Sequence, residues 1–115
     1  MQRVIVTGGA GFIGSHIVNK LINMGIQVSI IDDFSTGTIE NINPAAYCWK
    51  QDISTVNIED LTEFMKGVDT VFHLAALARV QPSIEYPVPY HNTNVTGTHN
   101  LLVAASNSGV KKFIF

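Results

Sequence analysis

Cysteine is nearly missing from this chain: Cys48 is the only one in 115 residues. It has no partner for an internal disulfide, which points to a reducing compartment, the cytoplasm. No activating neighbour marks it as a nucleophile, and a small strand residue is the plainer reading. Charge is sparse as well, 14% of residues for a net of −2. The basic residues are scattered apart from Lys111-Lys112, and nothing in their placement suggests a nucleic-acid-binding face. No signal peptide is visible, and no apolar run is long enough to cross a membrane. His16, His73, His91 and His99 lack metal-ligand spacing, and no cysteine or carboxylate cluster joins them. Repeats, low-complexity tracts and interdomain linkers are all missing, so 115 residues read as one domain that buries about two-thirds of its unfolded surface.

What is present is a strand followed at once by glycines. The apolar run Val4-Ile5-Val6 leads into Thr7-Gly-Gly-Ala-Gly-Phe-Ile-Gly14. Gly8, Gly11 and Gly14 are spaced three apart, and Ile13, Ile17, Leu21 and Met24 would share one face of the helix that follows. A buried strand, a glycine turn and a helix N-terminus together make a pyrophosphate site. The unpaired N–H groups of the first helical turn and the positive end of the helix dipole face the anion. Gly8 would permit the tight turn, Gly11 would leave no side chain between backbone and phosphate, and Gly14 would let helix and strand pack closely. The next strand, Gln27-Val28-Ser29-Ile30-Ile31, ends at Asp32, where an acidic residue would accept hydrogen bonds from an adenosine ribose. The competing readings are glycines that serve turns alone and an aspartate that merely closes a strand.

The rest of the chain alternates strand and helix. Strands are expected at 2–7, 27–32, 47–50, 70–74 and 112–115, and helices at 12–24, 57–66 and 88–107. Gly25, Gly67 and Gly109 close the helices, and Asn57 with Asp60 would cap the second. A polar loop follows Asp32, and another runs from the fourth strand to Pro87 and Pro89. Leu101, Leu102, Ala104 and Ala105 read as packing on the long helix. Strands separated by helices imply an α/β, Rossmann-type doubly wound parallel sheet with right-handed crossovers. The expected strand order is 3-2-1-4-5, with the ligand at the carboxyl edge where the order reverses.

Over all 115 residues the chain resembles the extended short-chain dehydrogenases/reductases, and within them the NAD-dependent sugar-nucleotide epimerases and dehydratases. The motifs that carry the resemblance are the glycine segment 7–14, Asp32-Asp33-Phe34-Ser35-Thr36-Gly37, Asp52-Ile53, His73-Leu-Ala-Ala76 and Asn94-Val-Thr-Gly-Thr98. The stretch 78–84, Ala-Arg-Val-Gln-Pro-Ser-Ile, looks most like the UDP-glucose 4-epimerase branch.

The resemblance implies NAD as cofactor and assigns it residues. Phe12 and Ile13 would offer backbone N–H groups to the pyrophosphate while their side chains serve the core. Asp32, backed by Asp33, would hold the adenosine ribose and repel a 2′-phosphate. Asp52 and Ile53 would meet the adenine, or stand as a helix-start aspartate beside a core isoleucine. Leu74, Ala75, Ala76 and Leu77 would line the passage of the ribose and nicotinamide halves, unless the small pair only packs. Asn94 would stand near the nicotinamide; its sequon Asn94-Val95-Thr96 carries no weight without a secretory signal. Arg79 and Ser83 lie where a substrate would enter, or in a solvated loop.

Family chemistry uses a tyrosine with a lysine four residues later, and a serine or threonine at the end of the fifth strand. Here Tyr47, Tyr86 and Tyr90 are followed four residues on by Gln51, Tyr90 and Asn94. No catalytic residue is therefore assigned. The expectation is an NAD-binding amino-terminal portion, 1–115, of a UDP-sugar 4-epimerase, cut after its fifth strand. The catalytic YxxxK segment and the carboxyl-terminal substrate domain would be absent. A 4,6-dehydratase portion and a free-standing, non-catalytic dinucleotide-binding module are the alternatives. A homodimer or other self-association is expected, since strand five would present an apolar edge.

Overall fold

The computed structural model describes residues 2–77 and 80–115. Its centre is a five-stranded, all-parallel sheet in the order β3-β2-β1-β4-β5. The strands are β1 (Arg3–Thr7), β2 (Gln27–Asp32), β3 (Tyr47–Lys50), β4 (Thr70–His73) and β5 (Lys112–Ile114). The helices are α1 (Phe12–Asn23), α2 (Ile58–Phe64), α3 (Val80–Glu85), α4 (Pro87–His91) and α5 (Thr98–Ser108). The strand order is the one the alternation implied. It puts the reversal between β1 and β4, whose carboxyl ends are Thr7 and His73.

Strand periodicity sorts the core into two layers. Ile5, Ile31 and Val71 face one side and bury Leu61 and Met65 of the α2 region with Leu101, Ala104 and Ala105 of α5. Val4, Val6, Val28 and Ile30 face the other and bury Val18 and Leu21 of α1. Leu102, by contrast, is largely exposed.

Helix ends follow the sequence closely. The Asn57 side chain accepts the Asp60 amide proton at the start of α2, and α5 ends on Gly109 in the left-handed conformation at φ 81°. Three expectations need correction. Phe12 and Ile13 are not core residues; they are 78% and 61% exposed. Helix α1 settles on β1 and β2 through Gly14, Val18 and Leu21, which turns Phe12 and Ile13 towards the part of the sheet near Phe72 that no described helix covers. Met24, on the same expected face, is also exposed, at the carboxyl-terminal cap of α1.

The segment before Pro87 is not all loop, because α3 forms within it. Pro82 sits in its first turn, where a missing N–H costs nothing, and Gln81 donates to Glu85 one turn on. Ser83 therefore lies on a helix, while Ala78 and Arg79 fall outside the described residues. Finally, the long helix expected over 88–107 is three pieces. A π-helical stretch, Asn92–Gly97, separates α4 from α5. Among the described residues no helix is long and apolar enough to cross a membrane.

Candidate dinucleotide site

The crevice lies at the carboxyl edge of the sheet, over the reversal of strand order, and encloses about 80 Å³. Gly8, Gly11, Asp32, Asp33, Asp52, Ile53, Leu74, Ala75, Ala76 and Leu77 all line it. Ile31, Ser35, Thr36, Gln51 and Thr93 line it too. Sequence reasoning did not single those out as site residues. Ser35 and Thr36 stand in a quoted motif, but Thr93 comes from the π-helical stretch, for which the sequence carries no signal.

The floor is the glycine turn. Gly8 has φ 75°, and a Cβ on it would lie 2.8 Å from the Ala75 nitrogen, so both the turn and the approach of β4 require glycine. At Gly14 a Cβ would overlap the Gly8 carbonyl oxygen. Gly11 begins α1 with no side chain capping its amides, and the first intrahelical bond runs from the Ser15 amide to the Gly11 carbonyl. The amides of Phe12, Ile13 and Gly14 thus precede that bond, at the positive end of a twelve-residue helix.

The Ala10 peptide at the tip of this turn is held from both sides. Its N–H donates to Asp32 Oδ2 at 2.9 Å. Its carbonyl accepts from Asn41 Nδ2 at 2.9 Å and from the Thr38 amide at 3.3 Å. Asp32 Oδ1 takes the Phe34 amide proton at 2.8 Å, and Asp33 Oδ1 takes that of Ser35 at 2.9 Å. Each oxygen of Asp32 thus already accepts one backbone proton and keeps a second lone pair for a hydroxyl.

Asp52 turns Oδ1 onto Ser54, accepting from its amide at 2.9 Å and its hydroxyl at 2.6 Å. Ile53 is buried in the core and also reaches the crevice wall. The two readings of this pair are therefore compatible. Asn94 does not line the crevice. Its Nδ2 donates to the Leu77 carbonyl at 3.0 Å and its Oδ1 accepts the Leu77 amide at 2.8 Å, so it shapes the wall from behind.

Cys48 stands beside this site on β3, paired in register with Ile30. Burial, and then the charge of Asp32, push its thiol up, away from thiolate chemistry. Among the described residues no group of three or more His, Cys, Asp or Glu could hold a metal ion.

These features fit a dinucleotide. The open helix N-terminus suits a pyrophosphate, and a Cβ at Gly11 would meet only the Gly8 carbonyl oxygen, at 3.3 Å, leaving backbone as the anion's neighbour. The paired carboxylates at the end of β2 suit ribose hydroxyls.

The model of the NAD dependent epimerase/dehydratase family matches residues 4–115. A putative UDP-glucose 4-epimerase of Methanocaldococcus jannaschii is 43% identical over 112 residues, 97% of this chain and 36% of that protein. The crystal structure of the Thermotoga maritima UDP-glucose 4-epimerase with UDP-glucose superposes with a TM-score of 0.93 at 42% identity, covering 99% of this chain and 37% of that one. The Thermus thermophilus UDP-glucose 4-epimerase, solved in complex with NAD, gives 0.90 at 39% identity, covering 99% of this chain and 37% of that one. This chain spans about a third of the length of the relatives it matches. With a family match over nearly the whole chain and a site built for a dinucleotide, the chain belongs to the NAD dependent epimerase/dehydratase family, and its cofactor is NAD.

Proposed function

We propose that this chain forms the NAD-binding portion, residues 1–115, of a sugar-nucleotide 4-epimerase acting on a UDP-sugar. The observation that carries the reading is the Ala10 peptide, clamped between Asp32 on one side and Asn41 and Thr38 on the other. The clamp sets the glycine turn in place before any ligand arrives, which lowers the ordering cost of binding. NAD supplies a reversible hydride acceptor, so a sugar could be oxidised at C4 and reduced again from the other face.

The residues of this chain bind and orient. The first-turn amides of α1 receive the pyrophosphate. The carboxylate of Asp32, with Asp33 beside it, accepts from the ribose hydroxyls. Asp52 keeps Oδ2 for the adenine amino group, and Ile53 supports the ring. Leu74 to Leu77 form the wall along which the nicotinamide half extends, with Asn94 holding Leu77. The proton transfer at the sugar is not assigned to any residue here, since no tyrosine is followed four residues later by lysine. We place the protein in the cytoplasm, and self-association of this chain is supported by the uncovered apolar surface around Phe12, Ile13 and Phe72.

Two experiments test this. Calorimetry on the 115-residue chain should detect NAD binding. A chimera carrying residues 2–115 in place of the matched part of the Thermotoga maritima enzyme should interconvert UDP-glucose and UDP-galactose. A folded, NAD-loaded chimera without that activity would overturn the 4-epimerase assignment.

A further inference from the structure

Thr7, the last residue of β1, carries a hydroxyl with three hydrogen-bond partners. Its Oγ1 accepts the Ala75 amide proton at 3.1 Å and a share of the Leu74 amide proton at 3.1 Å, the latter divided with the Thr7 carbonyl. Both lone pairs are then occupied. The hydroxyl hydrogen has one partner left, His73 Nδ1 at 2.7 Å. Nδ1 must therefore accept, and the ring proton sits on Nε2. Nε2 lies 2.7 Å from Thr98 Oγ1, which receives that proton and donates its own to the Asn94 carbonyl at 2.7 Å. The Asn94 side-chain amide then closes on both backbone groups of Leu77.

The chain of bonds is directional and returns to where it began. Its first donors, Leu74 and Ala75, and its last partner, Leu77, are the two ends of one wall of the crevice. His73 is the span between them. It is 7% exposed, lies against the rings of Phe113 and Phe115, and does not itself line the crevice.

We propose that His73, fixed as the neutral Nε2–H tautomer between Thr7 and Thr98, is a positioning residue that sets the Leu74–Leu77 wall against the glycine turn for the cofactor. The proposal rests on the NAD-binding reading above. Burial supports it by holding His73 down to about 4, so the ring is neutral at pH 7. A protonated ring would aim a second N–H at a hydroxyl whose lone pairs are already taken.

Nitrogen-15 spectra of the imidazole in the full chain read the tautomer directly. Nε2 should carry the proton and Nδ1 should show the shift of an acceptor. The chain is next cut at Thr98. Thr98→Val keeps the volume and removes the hydroxyl. Weaker NAD binding by about tenfold is expected, the equivalent of one buried hydrogen bond, together with faster exchange of the Leu77 amide. Thr98→Ser should restore both, which a loss of packing would not predict. His73→Phe should resemble Thr98→Val, and the double variant should be no worse than either single one.

A proton found on Nδ1 would overturn the proposal. So would NAD affinity and Leu77 exchange that stay unchanged in a folded Thr98→Val chain. If the wild-type chain fails to bind NAD, the function proposed above falls. The tautomer and the Leu77 exchange still decide the positioning role in that case, because neither needs the cofactor.

Discussion

The Asp32 carboxylate and the Ala10 amide meet at 2.9 Å, tying the end of β2 to the tip of the glycine turn across 22 residues of sequence. One side chain thus holds the glycine turn and lines the crevice where the ribose is proposed to bind. Asp32→Asn tests both duties. Asn offers one acceptor where two backbone donors, Ala10 and Phe34, now converge, so one N–H would face an amide NH₂. NAD affinity should fall by about tenfold or more, in line with the loss of a charge-assisted hydrogen bond.

NAD should be bound far more tightly than NADP by the unaltered chain. Asp32 and Asp33 line the crevice at the end proposed to hold the ribose, where a 2′-phosphate would meet them, and no arginine or lysine occurs between them and Lys50. A single like-charge pair at about 5 Å costs about 3 kcal/mol at an effective dielectric near 20. Calorimetry with both cofactors checks this, and comparable affinities would contradict it. In Asp32→Asn the gap between them should narrow.

Gly14→Ala should destabilise the fold by on the order of 3 kcal/mol, read from urea unfolding. Its Cβ would overlap the Gly8 carbonyl oxygen and lie 3.0 Å from the Gly9 Cα, and all of these neighbours are backbone that cannot swing aside. A midpoint within error of wild type would show that the turn can relax.

Stability should depend on pH through His73. Its folded value is about 4 against an ordinary 6.5, a depression caused by burial. Between these two values the unfolded chain binds a proton that the folded chain does not, so stability rises with pH across that window. Above 6.5 both states are neutral and the residue contributes no slope. Falling from pH 6.5 to 4 should therefore cost about 3 kcal/mol from this residue, at about 1.4 kcal/mol per unit. Urea titrations of wild type and His73→Phe at several pH values check it. The variant should lack this part of the slope, and parallel curves would refute the assignment.

The 115-residue chain should associate in solution and show no epimerase turnover with NAD and UDP-sugars. Phe12, Ile13, Ile17 and Phe72 border one apolar surface, and beside Phe72 in register lies Ile114 of β5, which among the described residues pairs with β4 alone. Phe115 is 88% exposed next to it. Unpaired edge groups beside an apolar surface favour association. Light scattering that finds a monodisperse monomer at high concentration would contradict the first expectation. Turnover that follows the purified chain through a contamination control would contradict the second.

Sequence by itself determined the strand order, the helix ends at Asn57 and Gly109, and ten residues of the crevice lining. The reason is local. Glycine spacing, strand alternation and a carboxylate at a strand end act through the backbone a few residues away, and parallel crossovers leave one hand for the topology. Tertiary structure alone decided the rest. Whether Phe12 and Ile13 were core or surface depended on which part of the sheet α1 covers, and their own spacing on the helix does not contain that. Thr93, which lines the crevice, stands in the π-helical stretch that interrupts the helix there, and the sequence carries no signal for that stretch. The links from Thr7 through His73 to Thr98 and Asn94 join β1, β4 and the helical segment beyond, 66 and 25 residues apart at the histidine. Such a link is written in the sequence only as separate polar residues, and it becomes a single device when the sheet brings their strand ends side by side.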